Sequence, residues 1–388
     1  MKTQKIIFFL LFVVVAIGGL IAYGVQANDA ASRKIVVFQA GVDDTAKDNI
    51  ISKVGGVKFK DLDLVGGKAV WLSNKAAEKL AKQPGVLRVE DDIVVQALGP
   101  LGQVLPWGIS RIDAELVWPL GNTADLINVA IIDTGISIQH PDVASNIKGG
   151  ISTVAYTTSY NDDNGHGTHV AGIVAAIDNT IGVVGAAPVA DIYAIKVLDS
   201  KGSGWLSDII EGIQWAIANN MQVINMSLGT ASDSQSFHDA VISAKTAGIV
   251  VVAAAGNSGP RPRSVLYPAK YPEVIAVSAT DQTNTLAKFS SRGPEVDLAA
   301  PGVSIYSAYK GTIYATLSGT SMASPHVAGA VALVLNTPVG SYDVNPKNGK
   351  WDPSEVQAKL QATAVDLGAA GFDNLYGFGL VNAFAAVQ

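Results

Sequence analysis

The sequence predicts an α/β protein, a doubly wound and mostly parallel sheet preceded by a small split-βαβ domain. Three observations carry this. From about Gln103 onward, unbroken apolar runs alternate with helical stretches, the pattern of strands buried on both faces. Residues 33–98 form a separate block, richer in Lys, Asp and Glu, whose elements read β-α-β-β-α-β. Near the C-terminal end, a glycine-bearing loop from Leu317 delivers a serine to an apolar helix running to about Leu335.

The elements follow in order. Lys2 and Lys5 precede an apolar run from Ile6 to Ala22, and Val25-Gln26-Ala27 places small residues where a signal peptidase reads. Cleavage after Ala27, giving a 1–27 signal peptide and a secreted, extracellular product, is expected. The alternative is an uncleaved anchor, because the run approaches a spanning length. Nothing later in the chain could span a bilayer, so a membrane contact is expected only through that segment.

In the 33–98 block, Lys34 to Phe38 reads as a strand, Asp44 to Val54 as a helix, and Val57 to Leu72 as two strands meeting near Gly66-Gly67. A second helix, Asn74 to Gln83, leads to a strand from Val86 to Val89. Asn74 reads as its N-cap and Pro84-Gly85 as its end. In the larger region the buried strands are Ile127 to Ile132, Ala190 to Leu198, Val223 to Met226, Ile249 to Ala255 and Val274 to Ser278. The helices between them are Gly167 to Ala176, Leu206 to Ala218 and Ser236 to Ala247. In such a sheet, functional groups collect beyond the carboxyl ends of the strands.

Composition bounds the chemistry. With 388 residues, 48% of them hydrophobic, the chain can form one large domain and a smaller one. A net charge of -6 implies no nucleic acid partner. Cysteine is absent, which excludes disulfides, thiolate metal sites and a thiol nucleophile.

Four residues stand where chemistry is expected. Ser321, in Gly319-Thr320-Ser321-Met322-Ala323-Ser324-Pro325, sits at a helix N-terminus, where free N–H groups and the helix dipole favour a developing anion. Pro325 reads as a first-turn proline. Taken alone, Gly-Thr-Ser could be a helix cap. Asp133 follows the first buried strand, and could be a cap, a metal ligand or an orienting acid. His166 opens a helix in Asn164-Gly165-His166-Gly167-Thr168-His169-Val170-Ala171-Gly172. A zinc pair of His166 with His169 is the weaker reading, because there is no His-Glu-x-x-His spacing, no obvious third ligand and no cysteine. Asn257, in Ala255-Gly256-Asn257-Ser258-Gly259, follows another buried strand, where a turn residue is the plain alternative.

Together the four supply what acyl transfer to water requires. Ser321 is a weak nucleophile that needs a base, and the imidazole of His166 can take and return its proton. A carboxylate on the far ring nitrogen, Asp133, would fix the tautomer and stabilise the imidazolium. The Asn257 amide and the Ser321 N–H would hold the tetrahedral oxyanion.

These motifs, Asp133-Thr134-Gly135, the His166 segment and the Ser321 segment in that order, resemble the subtilisin family of serine proteases over nearly the whole chain after the signal. The four roles above are those of subtilisin itself. The resemblance implies a serine endopeptidase of broad specificity acting on protein or peptide substrates, a monomer, with fold and zymogen organisation to match. Gly202-Ser203-Gly204-Trp205 and Ser227-Leu228-Gly229 resemble the two segments that bind substrate as an added strand. The primary pocket would be walled by Ser227 to Gly229 and Ala254 to Gly256, with Leu266 near its floor. These walls hold no acid, so an apolar P1 preference is expected.

The loop Ile177-Asp178-Asn179-Thr180-Ile181-Gly182-Val183 is similar to the family's structural Ca2+ loop. The resemblance implies carbonyl ligands from Ile177, Ile181 and Val183 and side-chain ligands from Asn179, Asp142 and Gln103. Residues 33–98 resemble the family's inhibitory propeptide, a split-βαβ (ferredoxin-like) folding aid whose tail, Ile93 to Leu98, would lie in the cleft as an intramolecular inhibitor. The peptidase domain would then be 103–388. Gly99-Pro100-Leu101-Gly102 lengthens the junction relative to the family, and self-cleavage is expected after Leu98 or Leu101.

Three rival readings compete with this one. An α/β-hydrolase esterase uses the same residue types, but in the chain order Ser, acid, His. The others are a catalytically silent binding protein on the same fold and a standing complex with the small domain.

Overall fold

The computed structural model describes residues 31–93, 102–344 and 347–388. The Ala27 cut, the tail from 94 to 98 and the junction through Leu101 lie outside the described residues. The described residues divide into two compact units, before and after the 98/99 junction.

The first unit has the order β1 (Ser32–Phe38), α1 (Asp44–Lys53), β2 (Val57–Leu62), β3 (Gly67–Leu72), α2 (Asn74–Leu80) and β4 (Val86–Asp91). Its strands form an antiparallel sheet ordered β2-β3-β1-β4, the split-βαβ arrangement. Val36, Phe38, Val70 and Leu72 bury one face with Ile51 and Leu80 of the helices. Two sequence expectations are corrected. The N-cap of α2 is Ser73, whose hydroxyl accepts from the Ala76 N–H (3.3 Å), because Asn74 is taken up by the Lys34 ammonium (2.9 Å). The helix also ends at Leu80, before Pro84-Gly85, so the turn preceding the proline does the stopping.

The second unit begins with α3 (Trp107–Arg111) and builds a sheet from β5 (Asn128–Asp133), β6 (Ile147–Ser152), β7 (Asp191–Lys196), β8 (Val223–Met226), β9 (Val250–Ala254), β10 (Val274–Thr280) and β11 (Leu298–Pro301). All seven strands are parallel, in the order β11-β10-β9-β8-β5-β7-β6. The five central strands match the apolar runs of the sequence. The two edges, β6 and β11, carry no such run: β6 contains Gly149-Gly150, and β11 is Leu-Ala-Ala-Pro.

Strand alternation sorts the sheet into two cores. Val129 and Ile131 of β5 face α4 (His166–Ala175) and α7 (Thr320–Leu335), while Ala130 and Ile132 face α5 (Leu206–Ala218) and α6 (Gln235–Thr246). Helix α7 is apolar all round because it is buried all round, from Met322 to Val334. Each of its buried Val or Leu side chains is worth about 1.5–3 kcal/mol relative to exposure. Beside α4 lies a hairpin of β12 (Ile305–Ala308) and β13 (Tyr314–Leu317), and α8 (Pro353–Thr363) and α9 (Ala383–Val387) complete the unit. Among the described residues, no helix is long and apolar enough to cross a membrane.

Two core histidines tie these layers together. His169 of α4 donates from Nε2 to the carbonyls of Ile305 and Ala315, both 3.1 Å away, which clamps the hairpin to the helix. His326 of α7 donates from Nδ1 to the Met322 carbonyl (2.8 Å). Burial pulls both down from the ordinary 6.5 to about 4, despite the hydrogen bonds to carbonyls that favour the charged form. Their folded pKa values lie below the unfolded one, so the stability they carry is complete above pH 6.5 and is lost as pH falls toward 4, on the order of 3 kcal/mol each. Thermal unfolding of the Ser321→Ala form should therefore lose melting temperature steadily below pH 6.5, and His326→Gln, which cannot charge, should flatten that slope. A melting temperature constant from pH 7 to pH 4.5 is incompatible with this account.

Candidate active site

The carboxyl edge of the sheet carries the sequence-selected residues. Asp133 is the last residue of β5 and is fully buried. Its carbonyl accepts from the N–H groups of Val197 and Leu198, and its carboxylate accepts from the Thr134 N–H (2.7 Å). Both carboxylate oxygens lie near Nδ1 of His166, Oδ1 at 2.8 Å and Oδ2 at 3.0 Å. A carboxylate only accepts, so Nδ1 carries the proton and Nε2 keeps the lone pair. Desolvation pulls the His166 pKa down, but the Asp133 charge, its hydrogen bond and the more distant Asp162 charge outweigh this and raise it above 6.5.

His166 is the first residue of α4, and two groups unrecognised in the sequence hold that helix start. Asp162, almost wholly buried, accepts at Oδ1 from the N–H groups of Asn164 and Gly165 and at Oδ2 from that of Thr168. Thr134 Oγ1 donates to Asp162 and accepts from the Gly167 N–H. The free donors of the first turn are thus satisfied from outside the helix. The available signal was an acid four residues before the helix, ambiguous because Asp163 and Asn164 are also plausible caps. Gly167 is dictated by packing: a Cβ there would lie 2.2 Å from the Gly135 carbonyl oxygen and 3.1 Å from Asp133 Oδ1. A side chain at that position would push the imidazole away from its acid. Lys196, fully buried, pins the turn from beneath by donating to the carbonyls of Thr134 and Leu198 and to Asp163.

His169 does not share a site with His166, since its Nε2 is committed to the hairpin carbonyls. Among the described residues, no group of three or more His, Cys, Asp or Glu side chains could hold a metal.

Ser321 is the second residue of α7. Its hydroxyl donates to the Ser227 carbonyl (3.2 Å) and makes no hydrogen bond to His166. Such contacts are often unformed in a free enzyme. Pro325 is the sixth helical residue, not a first-turn one as the sequence suggested, because α7 already begins at Thr320.

Asn257 follows β9 and is exposed. Its Oδ1 accepts from the N–H (2.9 Å) and the hydroxyl (3.0 Å) of Thr320, which settles the amide orientation and leaves Nδ2 free. Gly319 keeps open the space this amide faces: a Cβ there would lie 3.5 Å from Asn257 Nδ2 and 3.6 Å from the Ser321 nitrogen. Two N–H donors therefore border one small space beside Ser321, the arrangement an oxyanion requires.

A groove of ≈ 750 Å³ runs from His166 and Thr134 between Gly202-Ser203-Gly204 and Ser227-Leu228-Gly229. Ala254, Gly256 and Leu266 do not line it. Ala254 ends β9, nearly buried, and Leu266 packs on the glycines instead: a Cβ on Gly256 would meet Leu266 Cγ at 2.7 Å, and one on Gly229 its Cβ at 3.2 Å.

The polar loop 177–183 also meets Asp142 and Gln103. Buried Asp142 accepts from the Val183 N–H (2.8 Å) and Asn179 Nδ2 (3.1 Å). Gln103 Nε2 donates to the carbonyls of Ile177 (2.6 Å) and Val183 (3.1 Å), and Asn179 Oδ1 accepts from the Ile181 N–H (2.7 Å). Carbonyl oxygens of Ile177 and Val183 thus converge on the Gln103 amide nitrogen beside a single buried carboxylate, while Gln103 Oε1 accepts from the Asn179 N–H (3.1 Å); rotating the two side-chain amides would give the set oxygen donors only.

A parallel sheet presenting a carboxylate-bound imidazole and a helix-terminal serine at one edge is the framework of a serine hydrolase. The family model described as the subtilase family matches residues 125–379, and the chain belongs to that family. It is 43% identical to subtilisin E of Bacillus subtilis (strain 168), with both chains covered completely. It is 50% identical to subtilisin Savinase of Lederbergia lenta over 74% of this chain and all of that one. It is 47% identical to an alkaline protease of Shouchella clausii over 82% of this chain and 79% of the relative. The chain is a serine endopeptidase.

Proposed function

We propose that the chain is made as a secreted zymogen that processes itself. Residues 1–27 act as a signal peptide, 33–98 as an inhibitory propeptide and folding aid, and 103–388 as the peptidase. The single observation that carries the catalytic assignment is the pairing of His166 Nδ1 with buried Asp133, which leaves Nε2 basic. Ser321 turns about its Cα–Cβ bond from the Ser227 carbonyl toward Nε2. It attacks the scissile carbonyl while Nε2 takes its proton, and His166 then gives that proton to the leaving amine. Water deacylates the enzyme by the same path in reverse. Asn257 Nδ2 and the Ser321 N–H hold the oxyanion. A serine-directed fluorophosphonate should label the mature protein and fail to label Ser321→Ala; equal labelling of both forms would refute the assignment and favour a silent binder.

Substrate is read as an added strand between Gly202-Ser203-Gly204 and Ser227-Leu228-Gly229, which supplies main-chain hydrogen bonds. The primary pocket would lie beyond that groove, walled by Ser227 to Gly229 and Ala254 to Gly256, with Leu266, folded over Gly256 and Gly229, narrowing its floor. Peptides varied at P1 should be cut best with Leu or Ala. A large advantage for Phe or Tyr would show that Leu266 does not restrict the pocket.

The loop around Asp142 suits a structural Ca2+, held by Gln103, Asp142, Asn179 and the carbonyls of Ile177, Ile181 and Val183. Bound there, the ion supplies a cross-link between residue 103 and the 177–183 loop in a protein without disulfides. Calorimetry of the Ser321→Ala form with and without a chelator should show a melting temperature lower by several degrees on removal. An unchanged transition rejects the ion.

A further inference from the structure

Pro325 creates a defect at the reacting residue. In an α-helix the N–H of residue 325 would donate to the carbonyl of residue 321, and proline has no N–H. The carbonyl left without its helical donor belongs to Ser321. One buried side chain meets it, and two more stand behind that one. Ser227 Oγ donates to the Ser321 carbonyl (2.8 Å), Asn225 Nδ2 donates to Ser227 Oγ (3.0 Å), and Ser324 Oγ donates to Asn225 Oδ1 (2.7 Å). Asn225 and Ser324 are fully buried and Ser227 is 4% exposed.

The direction of each bond is forced. The one proton of Ser227 goes to a carbonyl, so its oxygen must accept from Asn225. The amide nitrogen therefore points at Ser227 and the amide oxygen at Ser324. The chain of bonds leaves α7 at Ser324, crosses to the end of β8 and returns to α7 at Ser321. All of its members are satisfied, the condition under which a buried polar network rigidifies its surroundings.

We propose that Ser324, Asn225 and Ser227 form a positioning relay that replaces the helical hydrogen bond lost to Pro325 and holds the Ser321 backbone in its reactive placement. The relay rests on the reading of Ser321 as nucleophile. Its residues touch neither substrate nor reacting atoms through these side-chain bonds; they act through Ser321. The sequence marks Pro325 as a helix-start proline but not what answers the carbonyl it strands, because only the fold brings the end of β8 beneath the first turns of α7.

The test is a double-mutant cycle in the full-length chain, using Ser227→Ala, Pro325→Ala and the pair. Mature enzyme is counted by fluorophosphonate titration, and kcat and KM are measured on a peptide anilide. Ser227→Ala should lower kcat per titrated site about 10- to 100-fold, the scale of a misplaced reacting group, with KM within about twofold. Pro325→Ala restores an N–H able to donate to the Ser321 carbonyl, so the double variant should regain at least about fivefold over Ser227→Ala. Wild-type kcat in Ser227→Ala, or effects that simply multiply, would overturn the relay. If Ser227→Ala yields no mature enzyme, Ser324→Ala at the far end decides: about a threefold fall in kcat at constant KM supports it, and no change overturns it. Activity persisting in Ser321→Ala would instead overturn the nucleophile assignment.

Discussion

Ser321→Ala is expected to lower kcat for casein or peptide hydrolysis by about 10⁶-fold, the size of effect known for subtilisin itself and carried over from it. The reason lies in the division of labour at the site. Removing the hydroxyl leaves the two N–H groups beside it and the groove intact, so the residual rate would be that of bound substrate attacked by water. His166→Ala should cost about as much, and the double variant little more than either, because base and nucleophile act as one unit. Mass spectrometry of the same preparations reads processing: Ser321→Ala should remain a full-length zymogen, while wild type loses its first unit. Casein hydrolysis by Ser321→Ala at more than a hundredth of the wild-type rate would exclude this serine as the nucleophile.

Asp133→Asn should cost about 10⁴-fold in kcat, again the order known for enzymes with this triad. Both carboxylate oxygens lie within 3.0 Å of His166 Nδ1. Replacing one by an NH₂ group sets donor against donor and removes the countercharge of the imidazolium. The pH profile carries a second signature. Burial works against the charged imidazole, and the charge and hydrogen bond of Asp133 are what hold its pKa above 6.5. Without them the pKa falls, so the acid limb of kcat/KM should shift to lower pH while the plateau drops. An acid limb unmoved in Asp133→Asn would show that this carboxylate is not what tunes the base.

Much of this architecture was legible in the sequence. The five central strands announce themselves as apolar runs because both faces of a parallel sheet are covered, and α5 was delimited to the residue, from Leu206 to Ala218. Edge strands were not legible. β6 and β11 stand at the two ends of the strand order and are rich in small and glycine residues, which leave no hydrophobic signature. Caps proved similarly ambiguous. Ser73 and Asn74 are both good N-caps, and the choice between them was made by Lys34, forty residues earlier in the chain.

Asp133, His166, Asn257 and Ser321 could be selected from the sequence because each follows a strand or opens a helix within a short motif. Their supports could not. Asp162, Thr134 and Lys196 have side chains whose partners are distant in sequence or equally plausible in several pairings. Leu266 is likewise placed only by the fold, against Gly256 and Gly229 and outside the lining of the open groove.

Local sequence by itself determined the central strands and the main helices, and placed Asp133, His166, Asn257 and Ser321 near their ends, because periodicity and chain order are properties of neighbours along the chain. Tertiary structure alone decided the tautomer of His166, the orientation of the Asn257 amide and the donor that meets the carbonyl stranded by Pro325. Each of these is set by a hydrogen bond between segments tens of residues apart, and no pattern along the chain records which donor will face which acceptor once the sheet has formed.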